Sequence, residues 1–133
     1  VPLEELLASS DFVCVTCPLT SETRHLIGKP QFGQMRPSAY LINVARGPIV
    51  DHEALVTALI QRRIAGAALD VFEREPLPSD DPLLALDSVI VTPHAIGHTD
   101  QMFRDCGRSA FAAVAAVAAG EVPDHVVNPR GTS

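Results

Sequence analysis

Ala39-Tyr40-Leu41-Ile42-Asn43-Val44 is a short apolar run that stops at Ala45-Arg46-Gly47-Pro48. Its length, its aromatic and β-branched residues and the Pro37-Ser38 before it predict a β-strand closed by a turn. Three other runs read the same way: Phe12-Val13-Cys14-Val15-Thr16, halted by Cys17-Pro18; Ile64 to Phe72; and Val89-Ile90-Val91. Between them lie stretches with helical spacing. Leu3 to Ala8 is one, broken by Ser9-Ser10-Asp11, and Pro30 to Met35 is a second, short one. Asp51 is a good N-cap, with Glu53 in the first turn and Arg62-Arg63 near the last. Ala54, Leu55, Ala58 and Leu59 then form one helical face. From Asp100 to Gly120, Met102, Phe103, Cys106, Ala110, Phe111, Val114 and Val117 make an apolar stripe, and Gly120 and Pro123 finish the helix. Strands that are apolar throughout and separated by helices predict an α/β fold. Its sheet is parallel and buried on both faces, with helices on both sides. Leu77 to Asp87 reads as a Pro/Asp-rich loop, and the tail from Pro129 as frayed.

The chain has 133 residues, enough for one domain of ordinary size, with 47% apolar and 20% charged residues. Sixteen acidic against ten basic residues give a net charge of -6. With no basic run there is no footprint for neutralising phosphates, so nucleic acid is excluded as the expected partner. No apolar run approaches the ~20 residues of a membrane helix. Val1-Pro2-Leu3-Glu4-Glu5 has neither the basic nor the apolar segment of a signal peptide, and lacks an initiator Met, which fits a processed or truncated chain. Three cysteines and no export signal point to reduced thiols in the cytoplasm. Cys14-Val15-Thr16-Cys17 sits in a strand run, where the two sulfurs diverge; Cys14 reads as a buried structural residue.

In a parallel sheet the strands end at one edge, and ligands bind just beyond it. The residues after each strand are therefore informative: Thr16-Cys17-Pro18, then Asn43-Val44-Ala45-Arg46-Gly47, then Asp70 with Glu73 and Glu75-Pro76, then Thr92-Pro93-His94 with Gly97 beyond. An Arg fork matches a carboxylate bidentately. A His can give or take one proton, and a carboxylate beside it holds its tautomer. That set on one rim suits hydride reduction of a 2-oxo acid. Singly, Arg46 could cap a turn, Glu75 could be a solvated loop charge and His94 a satisfied structural His. A mixed cluster on one rim raises the weight of a site to about even with these alternatives. His25 and His52 read as loop or helix-surface residues. His94 and His98 lack a further ligand at metal spacing, so no metal site is expected.

Ser10-Asp11-Phe12-Val13, Cys17-Pro18-Leu19-Thr20 with Thr23, Leu41-Ile42-Asn43-Val44-Ala45-Arg46-Gly47, Gly66-Ala67-Ala68-Leu69-Asp70-Val71-Phe72 with Glu75-Pro76, and Thr92-Pro93-His94 resemble successive motifs of the D-isomer-specific 2-hydroxyacid dehydrogenase family. Order and spacing match from about Leu3 to Asn128. The resemblance implies that Arg46 binds the substrate carboxylate, His94 is the general acid/base, and Glu75 partners it, with Glu73 as second choice. It implies a cofactor, NAD or NADP, lined by Cys17, Pro18, Val44, Ala45, Arg46, Asp70, His94 and Gly97, with Asp70 receiving the nicotinamide carboxamide. Relatives that act on formate carry Gln at the position of Glu75, so a small D-2-hydroxy or 2-oxo acid is the implied substrate. Many members read His-x-Gly-Gly; here Ile96 replaces one glycine. Members are well over twice this length, and no G-x-G-x-x-G occurs in this sequence.

The implied fold is half of a Rossmann-type doubly wound parallel sheet plus a C-terminal helix, truncated relative to the family. Residues 1–98 would be the C-terminal half of the cofactor domain, and 99–133 a helix and tail returning toward the substrate domain. A homodimer is the implied assembly. The alternative is a truncated, inactive Rossmann-like fragment serving only as a binding or oligomerisation module.

Overall fold

A computed structural model describes residues 1–127, and the tail from Pro129 lies outside them. Contacts divide the chain into two units, Val1–Ile96 and a second beginning at Gly97.

The first unit runs α1 (Leu3–Ser9), β1 (Phe12–Val15), α2 (Lys29–Gln34), β2 (Tyr40–Asn43), α3 (His52–Ile60), β3 (Gly66–Leu69) and β4 (Val89–Val91). All four predicted strands and all three predicted helices of this unit are present. The strands form one parallel sheet in sequence order, β1-β2-β3-β4. Asp51 caps α3 as expected, its carboxylate accepting the Ala54 amide at 2.9 Å. The helix stops at Ile60, so Arg62 and Arg63 lie beyond it. Arg63 donates instead to the Gly33 carbonyl of α2.

Register explains the two faces. Val13, Leu41, Ala67 and Val89 lie in one cross-strand row, and Val15, Asn43, Leu69 and Val91 in another on the same side. Val13, Val15, Leu41 and Leu69 are buried in a single core with Leu7 of α1, Phe32 of α2 and Leu55 and Leu59 of α3. The opposite side carries the rows Phe12-Tyr40-Gly66 and Cys14-Ile42-Ala68-Ile90. There Phe12 is 66% exposed and Ile90 69%. The Phe12 and Tyr40 rings stack at 5.7 Å, and the Tyr40 ring lies where a side chain at Gly66 would stand.

Two expectations are corrected here. The strands are not buried on both faces, because the described helices of this unit share one core on one side. Cys14 is exposed on the open side, not buried. Apolar content marks a surface that favours burial, but does not say which part of a chain covers it.

The second unit is dominated by α4 (Asp100–Ala118), capped by the Thr99 hydroxyl on the Met102 amide. It ends as expected at Gly120, whose φ of +78° is the left-handed conformation that closes a helix. Its apolar stripe is exposed at Phe103, Phe111, Val114 and Val117. No described helix is long and apolar enough to cross a membrane.

Candidate active site

Parallel strands bring the segments after β1, β2, β3 and β4 to one edge of the sheet. The segment after β2 is shaped by Asn43, which is buried at the strand end. Its side-chain oxygen accepts the Ala45 amide at 3.1 Å, and its amide group donates to the Arg46 carbonyl at 3.1 Å. This side-chain-closed turn presents Arg46 at the rim, where its guanidinium also donates to the Ala45 carbonyl. Gly47 follows because nothing else fits. A Cβ there would lie 1.9 Å from the Phe72 carbonyl carbon and 2.4 Å from the Glu73 nitrogen.

Glu75 and His94 meet across the segments after β3 and β4. Glu75 Oε2 is 2.9 Å from His94 Nδ1, and Oε1 accepts the Phe72 amide at 3.0 Å. The hydrogen bond from His94 holds the Glu75 carboxyl below its ordinary value. The Phe72 amide and the charges of His94 and Arg46 add to this, and burial only partly opposes them. An ionised Glu75 can only accept, so Nδ1 carries the proton and Nε2 is the ring atom left to exchange one. The Arg46 charge is the smallest of the influences that lower the Glu75 carboxyl. Glu73, the second choice for this pairing, is bonded to His25 instead.

His94 has a φ of +54°, a left-handed conformation that costs a β-carbon-bearing residue of order 1–3 kcal/mol. Asp70 holds the backbone there. Its Oδ1 accepts the Thr92 hydroxyl at 2.6 Å and the Ala95 amide at 2.9 Å, and the Ile96 amide lies 3.2 Å from Oδ2. Burial alone would raise the Asp70 carboxyl. The bonds from Thr92, Ala95 and Ile96 and the nearby His94 outweigh it and hold the group below its ordinary value.

A cavity of about 640 Å³ borders this pair, walled by Phe72, Leu77, Leu84 and Val91 and touched by Glu75 and His94. Arg46 does not line it. Of the remaining expected cofactor contacts, Cys17 and Val44 are half-buried, Ala45 is buried and Pro18 is exposed, all just past the ends of β1 and β2. Gly97 belongs to the second unit, exposed and with no neighbour where a side chain would stand.

Asn43, Thr92 and Glu73 stand among the residues read as following the strands, but the sequence gives Asn43 and Thr92 no role of their own, and His25 reads only as a loop or helix-surface residue. For Asn43 a signal existed: an Asn two residues before a turn amide is placed to close it. For Thr92 and His25 the partners lie 22 and 48 residues away, beyond any local pattern.

Residues 1–95 match the family described as D-isomer specific 2-hydroxyacid dehydrogenase, NAD binding domain. The chain is 49% identical over 128 residues to glyoxylate/hydroxypyruvate reductase B of Pectobacterium carotovorum, covering 96% of this chain and 40% of the reductase. Its fold matches D-lactate dehydrogenase with NAD+ from Lactobacillus jensenii at a TM-score of 0.90 and 34% identity, over 97% of this chain and 43% of that one. It also matches a D-isomer specific 2-hydroxyacid dehydrogenase from Xanthobacter autotrophicus Py2, in complex with NADPH and MES, at 0.82 and 43% identity, over 96% and 52%. The chain thus spans about 40% of the length of the curated relatives it matches.

Proposed function

Since the chain belongs to the D-isomer specific 2-hydroxyacid dehydrogenase family through its NAD-binding domain, we propose that it is the C-terminal portion of an NAD(P)-dependent oxidoreductase. Its substrate would be a small D-2-hydroxy acid or the matching 2-oxo acid. The observation that carries this reading is the Glu75–His94 pair, with the charge of Arg46 acting on the same carboxylate.

Arg46 binds the substrate carboxylate by its fork and leans on the adjacent carbonyl. His94, oriented through Nδ1 by Glu75, delivers a proton from Nε2 to the oxygen of the carbonyl as it becomes an alkoxide, and takes it back in the reverse direction. Asp70 keeps the His94 backbone in its strained conformation. Cys17, Pro18, Val44, Ala45, Asp70 and Gly97 would contact the nicotinamide nucleotide. The open strand ends and the spare acceptor capacity of Asp70 Oδ2 fit such a group. When bound, the nicotinamide supplies or accepts the hydride at C2 of the acid. Residues 1–98 would then serve as part of the cofactor domain and 99–133 as the returning helix and tail. We place the protein in the cytoplasm, as a homodimer.

The test is a chimera in which this chain replaces the matching segment of the Pectobacterium reductase. It should oxidise NADH or NADPH with glyoxylate or hydroxypyruvate. His94→Ala should then lower turnover about 10²–10⁴-fold. A loss below about tenfold, or ~1.4 kcal/mol of barrier, would remove His94 from the acid/base role.

A second reading rests on the open apolar sheet side, with Phe12, Tyr40 and Ile90 exposed and β1 at the sheet edge. On that reading these residues serve only as a binding or oligomerisation module. Its signature is concentration-dependent association of the chain, with a chimera that is folded but inactive.

A further inference from the structure

A second histidine–carboxylate pair lies on the rim and has no part in the proton transfer. His25 Nε2 and Glu73 Oε1 are 2.5 Å apart, joining the segment after β1 to the segment after β3. What lies between them is the Arg46 segment. On one side the His25 amide donates to the Pro48 carbonyl at 2.9 Å and the Ile27 amide to the Ile49 carbonyl at 3.1 Å. The Asp51 amide returns a bond to the Ile27 carbonyl at 2.9 Å. On the other side Gly47 rests directly against the Phe72–Glu73 backbone. Arg46-Gly47-Pro48 is therefore flanked by two segments, and the His25–Glu73 bond closes the ring around it. His25 reaches this bond from a left-handed backbone, φ +52°, a conformation uncommon for a residue with a β-carbon.

We infer that His25 and Glu73 are a positioning pair that clamps the Arg46-Gly47-Pro48 segment and so sets how tightly the Arg46 guanidinium holds a substrate carboxylate. The clamp itself follows from this geometry, while its effect on the substrate rests on the function proposed above. Both side chains are more than a third exposed, so the pair adds little to global stability. Its effect is local: it removes freedom from a segment whose guanidinium must meet a carboxylate in one orientation.

Two measurements separate the clamp from the reaction. The first is amide hydrogen exchange on this chain as wild type, His25→Ala and His25→Gln. Gln keeps a side-chain N–H donor in place of Nε2, whereas Ala does not. In His25→Ala the amides of His25, Ile27 and Asp51 should exchange about tenfold faster or more, while those of Tyr40 and Asp70 stay within about threefold. His25→Gln should restore the wild-type rates. Unchanged rates in His25→Ala, or an equal rise at all five amides, would overturn the clamp. The second is steady-state kinetics in the chimera. His25→Ala and Glu73→Ala should each raise KM for glyoxylate about fivefold or more with kcat within about twofold, and His25→Gln should stay near wild type. A fall in kcat at unchanged KM would overturn the positioning role. A wild-type chimera without activity would instead sink the proposed function, and the exchange rates would still decide the clamp.

Discussion

Asp70 shows how one side chain can fix the backbone of a neighbouring segment. Its carboxylate gathers a hydroxyl and two amides from Thr92, Ala95 and Ile96, the residues on either side of His94. The sign of its pH dependence follows. Asp70 and Glu75 both sit below their ordinary values in the folded chain. The stability they contribute is therefore complete above the unfolded range near ~4 and is lost as pH falls through the folded values. Asp70→Asn removes one of the two, so its urea-unfolding free energy should fall less between about pH 7 and about pH 3 than that of wild type. Parallel curves for the two proteins would contradict this. Gly47 makes a sharper case, because the atoms a Cβ would strike are backbone atoms of Phe72 and Glu73. Gly47→Ala should destabilise the chain by about 3 kcal/mol or more, read as a lowered urea midpoint at unchanged slope. These residues also show where sequence reading runs out. The Arg46, Glu75 and His94 positions were visible as polar residues following strand runs. Their mutual geometry depended on strand order, which parallel topology constrained. The pairing of Glu73 with His25 rather than His94 was hidden, because two carboxylates two residues apart offer the same chemistry until the backbone chooses between them.

At the scale of elements, local chemistry was legible and exposure was not. The α3 start follows from Asp51 alone: its short side chain reaches the Ala54 amide, which has no partner inside the helix. Asp51→Ala should therefore cost about 1 kcal/mol in thermal or urea unfolding, and Asp51→Ser much less. A loss as large for Ser as for Ala would mean that the carboxylate contributes by its charge and not as a cap. The α4 end follows equally from Gly120. The strands differ. Phe12-Val13-Cys14-Val15 is apolar at every position, yet alternates exposed and buried. Alternation in a strand is written in the sequence only when the open face is polar. Here that face is apolar, so period and burial part company, and Cys14 was assigned to the wrong side.

On the proposed reading, the whole molecule joins a catalytic rim to part of a nucleotide site. Arg46, Glu75, His94 and Asp70 need only four parallel strands to meet, and the chain has all four. Dinucleotide binding by such folds draws instead on a glycine-rich turn that lets the pyrophosphate approach a helix N-terminus. No G-x-G-x-x-G occurs among these 133 residues. On that reading the rim would contact the nicotinamide end, and no glycine-rich turn of this kind in the chain would hold the charged centre of the cofactor. Affinity for a dinucleotide is the sum of its parts less one large cost of immobilisation. Losing the pyrophosphate contacts therefore removes most of the observable binding. Titration calorimetry of the 133-residue chain with NAD should give a dissociation constant weaker than about 1 mM, and no turnover of glyoxylate with NADH. The chimera with the reductase segment should restore both. Micromolar binding by the chain alone would mean that the strand ends after β1 and β2 supply a phosphate site of their own, and the division of labour between the two halves of the fold would have to be redrawn.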